Sequence, residues 1–317
     1  MKAGRQTTLR DRAELSGVGV HSGAPVSLTI HPAASDTGIV FFRTVEGGND
    51  REISANSNAV VATEFATVLG DASGPAVATV EHIMAALCGM GVDNALIEID
   101  GPEVPVLDGS AEPFAEAIEQ AGIETLPQAR RYLRVLKPIG VTSGNSYAEL
   151  RPYDRGFRLE MEIDFDHRTV GRQNLALDLT PVTFRRELSR ARTFGFMRDV
   201  HKLWNSGYAL GASFANTVVV AEDRVVNPEG LRFPDEFVRH KALDALGDLA
   251  LAGAPILGAY RSICGGHRLN HAVLCALFAD KTAWTLVDAR EPAVRRTRGH
   301  ADLGAGLLQP AYAPDVS

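Results

Sequence analysis

The chain has few cysteines and no long hydrophobic run, and each shortage excludes a class of protein. Its three cysteines, Cys88, Cys264 and Cys275, are odd in number and include no CxxC pair, which argues against a disulfide framework and a thiolate metal site. We expect them to be small buried hydrophobic residues in the reducing cytoplasm. No segment approaches the roughly 18 apolar residues of a membrane span, and the N-terminal segment lacks the apolar core of a secretory signal.

An excess of positive charge is also absent. The sequence has 32 Lys and Arg residues against 39 Asp and Glu residues, a net charge of −7, which argues against a nucleic acid as partner. What is present is an ordinary globular composition, with 45% hydrophobic residues in a chain of 317. This is enough to form the core of one large domain or of two domains of ordinary size.

Hydrophobic periodicity predicts a mixed structure. Alternating apolar residues predict strands at 26–33, 38–45, 95–100, 132–141 and 157–165. A helical period predicts helices at 80–90, 112–122, 184–191, 237–250 and 269–279. Strands precede helices and the order then recurs, which favours an α+β fold over a doubly wound parallel sheet. A proline and a shift in charge make 123–132 the best candidate for a linker.

Two helical segments resemble each other at a constant offset of 158 residues. The offset pairs Val80 with Val238, His82 with His240, and Gly89 with Gly247. Three identities can arise by chance, but a histidine in the first turn of both helices favours a duplicated unit. If the unit faces its copy, the two histidines meet at the interface between them.

The segment "EFVRHKALDALGDL" (236–249) places His240, Asp244 and Asp248 at four-residue spacing, on one stripe of a helix whose other face is apolar. One interpretation is a solvated helix surface with a weak His–Asp pair. The other is a metal site, because His240 and Asp244 lie about 6 Å apart along the axis and can reach one ion. Asp248 lies roughly 12 Å from His240 along the axis, so it needs a different role, such as orienting another imidazole.

His82 is the candidate for a third ligand because the repeat places it opposite His240. Glu81 precedes it and is a candidate general base for a zinc-activated water, although glutamate also favours a helix N-terminus for electrostatic reasons alone. His267, in the glycine-rich "CGGHRLN", is a candidate general acid. The remaining histidines show no comparable partner spacing, and we predict no catalytic role for them: His21, His31, His167, His201, His271 and His300.

Long motifs around these residues resemble the UDP-3-O-acyl-N-acetylglucosamine deacetylase family, which performs the committed, zinc-dependent step of lipid A synthesis in Gram-negative bacteria. The motifs are "TVEHIMAALCGMGVDNALIEIDGPEVPVLDGSAEPF" (79–114), "SRARTFGFMRDV" (189–200), "NPEGLRFPDEFVRHKALDALGDL" (227–249), "SGVGVHSG" (16–23) and "GGHRLN" (265–270). The likeness extends from about residue 5 to residue 285.

The resemblance implies an α+β fold of two similar β-α-α-β layered domains packed face to face, each with a small insert, and an active site between them. We place the first domain at 1–126 and the second at 127–290, with its insert at about 194–223. A tail at 291–317 follows, and we expect its residues 295–317 to be disordered. We also expect a monomer.

The resemblance further implies roles for individual residues. The implied Zn²⁺ ligands are His82, His240 and Asp244. The implied catalytic groups are Glu81 as general base, His267 as general acid, Asp248 as the carboxylate that orients His267, and Thr193 as a hydroxyl that assists the oxyanion. The residues implied to bind the sugar nucleotide and its 3-O-acyl chain are Lys241, Phe194, Val200, Ser213, Phe214, Thr217 and Val219.

The implied reaction removes the N-acetyl group from UDP-3-O-acyl-N-acetylglucosamine and releases acetate. Two other interpretations remain open at this point. One is a zinc amidohydrolase that acts on another nucleotide sugar or acylated amine. The other is a non-catalytic zinc protein or sugar-nucleotide binder, although such a protein needs neither the candidate base Glu81 nor the candidate acid His267.

Overall fold

The computed structural model of the chain describes residues 4–45, 47–48, 50–71 and 74–289. The helices in these residues are α1 (Glu81–Met90), α2 (Glu112–Ala121), α3 (Pro181–Thr183), α4 (Val200–Asn205), α5 (Glu236–Ala250) and α6 (His267–Ala279). Single tighter or wider turns occur at Ser57–Ala59, Phe184–Leu188 and Met197–Asp199. The predicted tail at 291–317 lies outside the described residues.

The strands of the first half are β1 (Arg5–Leu9), β2 (Ala13–Val18), β3 (Pro25–Pro32), β4 (Ile39–Arg43), β5 (Arg51–Ser54), β6 (Val60–Ala62), β7 (Val68–Gly70), β8 (Ala76–Val77), β9 (Ala95–Ile99) and β10 (Ile123–Ala129). Those of the second half are β11 (Arg131–Val135), β12 (Ile139–Ser143), β13 (Ser146–Arg151), β14 (Phe157–Asp164), β15 (Arg172–Asp178), β16 (Phe194–Phe196), β17 (Val218–Val220), β18 (Ile256–Ile263) and β19 (Trp284–Asp288).

Alternation of apolar residues builds both large sheets. In β3 the side chains of Val26, Leu28 and Ile30 are buried and their neighbours are more exposed. In β14 the same period buries every second residue, from Phe157 to Ile163. Because side chains alternate between the faces of a sheet, each strand presents one apolar face to the helices and one polar face outward.

The two sheets have the same strand order and direction. The first sheet runs β2-β3-β9-β4-β5, in which β9 is antiparallel to β3 and parallel to β4. In the second sheet β12, β13, β18, β14 and β15 follow the same order, with β18 antiparallel to β13 and parallel to β14. The second sheet also contains β11 and β19. The predicted α+β fold with a duplicated unit is therefore confirmed.

In the first unit α2 packs on α1 and β2, in the second α5 and α6 pack on the sheet, and the two units meet where α1 packs on α5. The contact is closest at Gly247, where an added Cβ would overlap the carbonyl of Glu81. The glycine thus allows the N-terminal end of α1 to lie directly on the C-terminal part of α5. Helix α1 ends at Met90 because Gly91 adopts a left-handed conformation with φ of 78°.

A small insert interrupts each unit. In the first, β6, β7 and β8 form a three-stranded sheet. In the second, β16 and β17 form a parallel pair around α4. Where one domain ends and the next begins stays a prediction.

Three predictions from the sequence were wrong in detail. The proposed linker at 123–132 is mostly strand β10, which pairs with β1. The strand predicted at 132–141 is two strands, β11 and β12, because the segment around Pro138 interrupts the pattern. The cysteines are free as expected, but none is fully buried, since Cys88 and Cys264 are partly exposed and Cys275 is exposed. Among the described residues, no helix is long and apolar enough to cross a membrane.

The tight contact between α1 and α5 predicts a strong effect of one methyl group. We expect Gly247→Ala to lower the free energy of unfolding by about 1–3 kcal/mol, because the helices must separate to accommodate it. Urea denaturation measures the change. The matched control is Gly195→Ala in β16, where an added Cβ meets nothing within 4 Å and we expect less than about 0.5 kcal/mol. Equal stability of the two variants would contradict the packing described.

Candidate metal and catalytic site

The polar stripe of α5 is buried, which excludes a solvated helix surface. His240, Asp244 and Asp248 are each at most 3% exposed. His82, from the start of α1, lies against them, with the rings of His82 and His240 5.0 Å apart at an angle of 83°. The duplicated unit therefore brings its two equivalent histidines together, as the repeat predicts.

One ligand atom each from His82, His240 and Asp244 lies within 4.8 Å of the other two. The Oδ1 atom of Asp244 is 3.2 Å from Nε2 of His240 and 3.6 Å from Nε2 of His82. Two ligands of one tetrahedral ion, at bond lengths of about 2.1 Å, are about 3.4 Å apart. The spacing therefore fits ligands around a metal ion better than direct hydrogen bonds.

The tautomer of His240 supports the same interpretation. Its Nδ1–H donates to the carbonyl of Ala191 at 3.0 Å, so Nε2 presents a lone pair to Asp244. Burial lowers the pKa of His240 to about 4, against the opposing effect of Asp244, so the ring is neutral. A lone pair facing a carboxylate oxygen at 3.2 Å is repulsive unless a cation lies between them. The donor set therefore fits a divalent metal.

The second oxygen of Asp244 has its own partner. Lys241 Nζ donates to Oδ2 at 2.6 Å, which leaves Oδ1 directed toward the two imidazoles. Burial alone would raise the pKa of Asp244, but the nearby His240 and Lys241 outweigh burial and keep this pKa well below its usual range. Asp244 is therefore an ionised candidate ligand.

A second cluster lies beside the first and contains Glu81, Asp248 and His267. His267 is the first residue of α6 rather than part of the preceding loop. Its Nδ1–H donates to Asp248 Oδ2 at 2.9 Å, and its Nε2 is 3.8 Å from Glu81 Oε1. As predicted from its distance along α5, Asp248 contacts an imidazole outside the first cluster.

The charge state of His267 follows from these neighbours. Burial alone would lower its pKa, but the carboxylates of Asp248 and Glu81 outweigh burial and raise the pKa to about 9. The imidazole thus keeps its proton at neutral pH. Burial raises the pKa of Glu81, although the charges of His267 and His82 oppose the shift. A buried base and a protonated acid therefore lie side by side.

Asp248 and Glu81 are held by residues that the sequence did not single out. The hydroxyl of Thr67 donates to Asp248 Oδ1 at 2.6 Å, and its backbone N–H donates to Glu81 Oε2 at 3.0 Å. Asn270 Nδ2 donates to Asp248 Oδ2 at 2.8 Å. Thr67 comes from the insert of the first unit and Asn270 from α6, so no spacing along one helix could have identified them.

The segment before β16 connects the site to α5. The buried Arg192 donates to Glu236 in the first turn of α5, from Nε at 2.9 Å and from its backbone N–H at 3.0 Å. This pair fixes the backbone at Arg192. It thereby holds the carbonyl of the preceding Ala191 against His240 and fixes the position of the following residue, Thr193. The ring of Phe194 then meets that of His240, edge to face, at 6.3 Å.

The remaining residues implied to bind substrate lie in the second insert. Val219 is in β17, paired with β16, and Val200 begins α4. Ser213 is exposed and accepts a backbone hydrogen bond from the buried Thr217 at 2.9 Å. Phe214 is 49% exposed. The insert thus gathers these residues in one region, and their contact with an acyl chain stays a prediction.

His21 also lies beside the site, although no partner spacing marked it. Its ring meets those of Tyr208 at 5.4 Å and Phe65 at 6.4 Å. Burial lowers its pKa, and the nearby His267 and His82 lower it further, while Glu103 opposes the shift. The signal in the sequence was the glycine-flanked motif "SGVGVHSG" (16–23), which indicates a close approach of backbone.

The predicted site residues do not line the apolar cavity between the two units. A cavity of about 560 Å³ lies elsewhere between the two units and is lined mainly by apolar residues, among them Met84, Leu87, Leu246 and Leu249. None of the predicted site residues lines this cavity. The chemistry is located by the buried titratable groups instead.

Three metal-ligand candidates beside a carboxylate–imidazole pair are typical of metal-dependent hydrolases. Residues 6–279 match the family model of UDP-3-O-acyl N-acetylglycosamine deacetylase, LpxC. The UDP-3-O-acyl-N-acetylglucosamine deacetylases of Brucella ovis, Brucella canis and Brucella melitensis are each 50% identical to the chain over 285 residues, which cover 90% of it and 99% of each relative. The chain therefore belongs to the UDP-3-O-acyl N-acetylglycosamine deacetylase family.

The geometry predicts an unusual titration of one histidine. In the metal-free protein we expect His267 to keep its proton up to a pH of about 9. Asp248→Asn removes the carboxylate that contributes most to the raised value, so we expect the pKa to fall by at least about one unit. NMR titration of the histidine rings measures both values. Asp280→Asn, at the end of α6, is the control and should leave His267 unchanged; an ordinary pKa in the parent protein would contradict the pairing.

Proposed function

We propose that the protein is a zinc-dependent deacetylase that hydrolyses the N-acetyl group of UDP-3-O-acyl-N-acetylglucosamine, the committed step of lipid A biosynthesis. The observation that carries the proposal is the acid–base pair beside the ligand cluster. Glu81 and His267, 3.8 Å apart, adjoin His82, His240 and Asp244. A purely structural metal site needs no such pair. The names of the 50% identical relatives support the substrate.

His82, His240 and Asp244 would hold the metal. Zn²⁺ bound there would polarise the amide carbonyl of the substrate and lower the pKa of a bound water. Lys241 keeps Asp244 ionised and oriented through its bond to Oδ2. The carbonyl of Ala191 keeps His240 in the tautomer that a ligand requires.

The remaining groups handle protons and charge. Glu81 accepts a proton as water adds to the amide carbon. Thr193 donates a hydrogen bond to the oxygen on which negative charge develops. Protonated His267 transfers its proton from Nε2 to the amine nitrogen as the C–N bond breaks, and acetate leaves. Asp248 holds His267 in place and in its charged form.

We propose that the second insert accommodates the 3-O-acyl chain. Met197, Leu210 and Phe214 are each at least 45% exposed there, and covering apolar surface with a fatty chain stabilises a complex by about 0.8 kcal/mol per methylene. Phe194, Val200, Ser213, Thr217 and Val219 belong to the same insert. We propose that Lys241 binds the sugar nucleotide, as the resemblance implies.

We also propose a cytoplasmic monomer. The three cysteines are free, as a reducing compartment favours. Every group assigned to the metal and to proton transfer comes from one chain, so the mechanism requires no partner subunit.

The proton-transfer roles predict a loss of turnover without loss of metal. We expect Glu81→Gln and His267→Gln each to lower kcat at least about 100-fold, with bound zinc unchanged. Acetate release from the acylated UDP-sugar and elemental analysis measure the two quantities. His271→Gln is the matched control, since His271 lies one turn further along α6 and its ring contacts the Ser57 carbonyl. Normal turnover in either catalytic variant would refute these roles.

The ligand set predicts the opposite pattern for two neighbouring carboxylates. Asp244→Ala should lose bound zinc, because a ligand is missing. Asp248→Asn should retain zinc and lose activity, because only the support of His267 is altered. Elemental analysis after dialysis distinguishes them. Zinc loss from Asp248→Asn with retention in Asp244→Ala would place the metal in the other cluster.

A further inference from the structure

Glu103 is a buried carboxylate outside both clusters. It lies in the loop that follows β9 and is 2% exposed. A buried carboxylate is costly unless hydrogen bonds compensate for the lost water. The hydrogen-bond partners of Glu103 therefore indicate its role.

Four donors converge on this carboxylate. Oε1 accepts from the backbone N–H of His21 at 2.9 Å and from the hydroxyl of Thr79 at 2.8 Å. Oε2 accepts from the backbone N–H of Ser22 at 2.8 Å and from its hydroxyl at 2.7 Å. Burial alone would raise the pKa of Glu103, but these hydrogen bonds outweigh it and lower the pKa. This pattern favours an ionised carboxylate, whose two oxygens accept from all four donors.

One of these bonds reaches the start of α1. Thr79 has φ of 57°, a left-handed conformation that β-branched residues avoid and that persists only when the surroundings impose it. It directly precedes Val80, the N-cap of α1, and hence Glu81 and His82. The backbone supports the same connection, since Ala78 N–H donates to the Pro102 carbonyl at 2.9 Å.

The other bonds hold the loop that carries His21. Gly19 lies so close to Glu103 that an added Cβ would overlap the carboxylate. Beyond the carboxylate, the loop binds the second insert. The backbone N–H of Leu210 donates to the His21 carbonyl at 3.1 Å, and that of Gly211 donates to the Val20 carbonyl at 3.0 Å.

We propose that Glu103 is a positioning residue for the deacetylase reaction. It joins the strained turn that aims Glu81 and His82 to the loop that places His21 beside them and supports the second insert. The proposal rests on the roles proposed above for Glu81 and His82. In this role Glu103 acts only as a hydrogen-bond acceptor, and it touches neither metal nor substrate.

Glu103→Gln tests this proposal because the side chain keeps its shape. In either orientation the new amide N–H₂ faces a backbone N–H, of His21 or of Ser22, so one donor loses its acceptor. We expect kcat to fall at least about tenfold, as for one or two lost hydrogen bonds to a charged group, while bound zinc stays unchanged. We also expect faster amide hydrogen exchange at His21 and Ser22. Assays are run well below the unfolding temperature, so that lower stability alone does not change kcat.

Glu98→Gln is the matched control, since Glu98 in β9 pairs with the surface residue His31 at 3.0 Å and should keep full kcat. Wild-type kcat in Glu103→Gln, or an equal loss in Glu98→Gln, would overturn the proposal. If Glu103→Gln does not fold, Thr79→Val removes only one bond and should lower kcat about threefold or more; unchanged kcat there would also overturn it. Glu81→Gln in the same assay distinguishes failure of the proposed function from failure of the positioning role. An inactive Glu81 variant beside a fully active Glu103 variant refutes the positioning role alone.

Discussion

The close contact of α1 with α5 is the constraint on which the site depends. Gly247 lets the Glu81 carbonyl rest on α5, so two consecutive residues of α1 face two carboxylates that are one helical turn apart. His82 then meets Asp244, and Glu81 joins the cluster of Asp248. If a side chain at position 247 pushed α1 away from α5, it would separate the two candidate ligands His82 and His240, which come from different halves of the chain.

Burial makes this arrangement both costly and effective. Charged groups withdrawn from water require partners, and in a low dielectric their mutual influence is strong. Asp248 illustrates the solution, because it accepts hydrogen bonds from His267, Thr67 and Asn270. The same buried environment gives the imidazoles of His240 and His267 different pKa values. Burial lowers the pKa of His240 to about 4, while two carboxylates raise that of His267 to about 9, so one can bind a metal and the other can donate a proton.

Helix geometry and internal repetition were sufficient to predict much of this from the sequence. The four-residue spacing separated Asp244 from Asp248, and the repeat paired His82 with His240. Spacing could not identify Thr67, Asn270 or His21, because each reaches the site from another element through tertiary packing. The segment at 123–132 was misassigned for a related reason, since its pairing with distant β1 overrides a local proline signal. The roles of the second insert remained a matter of resemblance, because exposed apolar residues alone do not define their ligand.

The proposed mechanism requires one metal ion bound by His82, His240 and Asp244, with Glu81 and His267 free for proton transfer. The most direct test is a crystal structure of the zinc-loaded protein, with anomalous scattering at the zinc edge. We expect one ion within about 2.0–2.2 Å of Nε2 of His82, Nε2 of His240 and a carboxylate oxygen of Asp244. An ion bound instead by Glu81, Asp248 and His267 would contradict it.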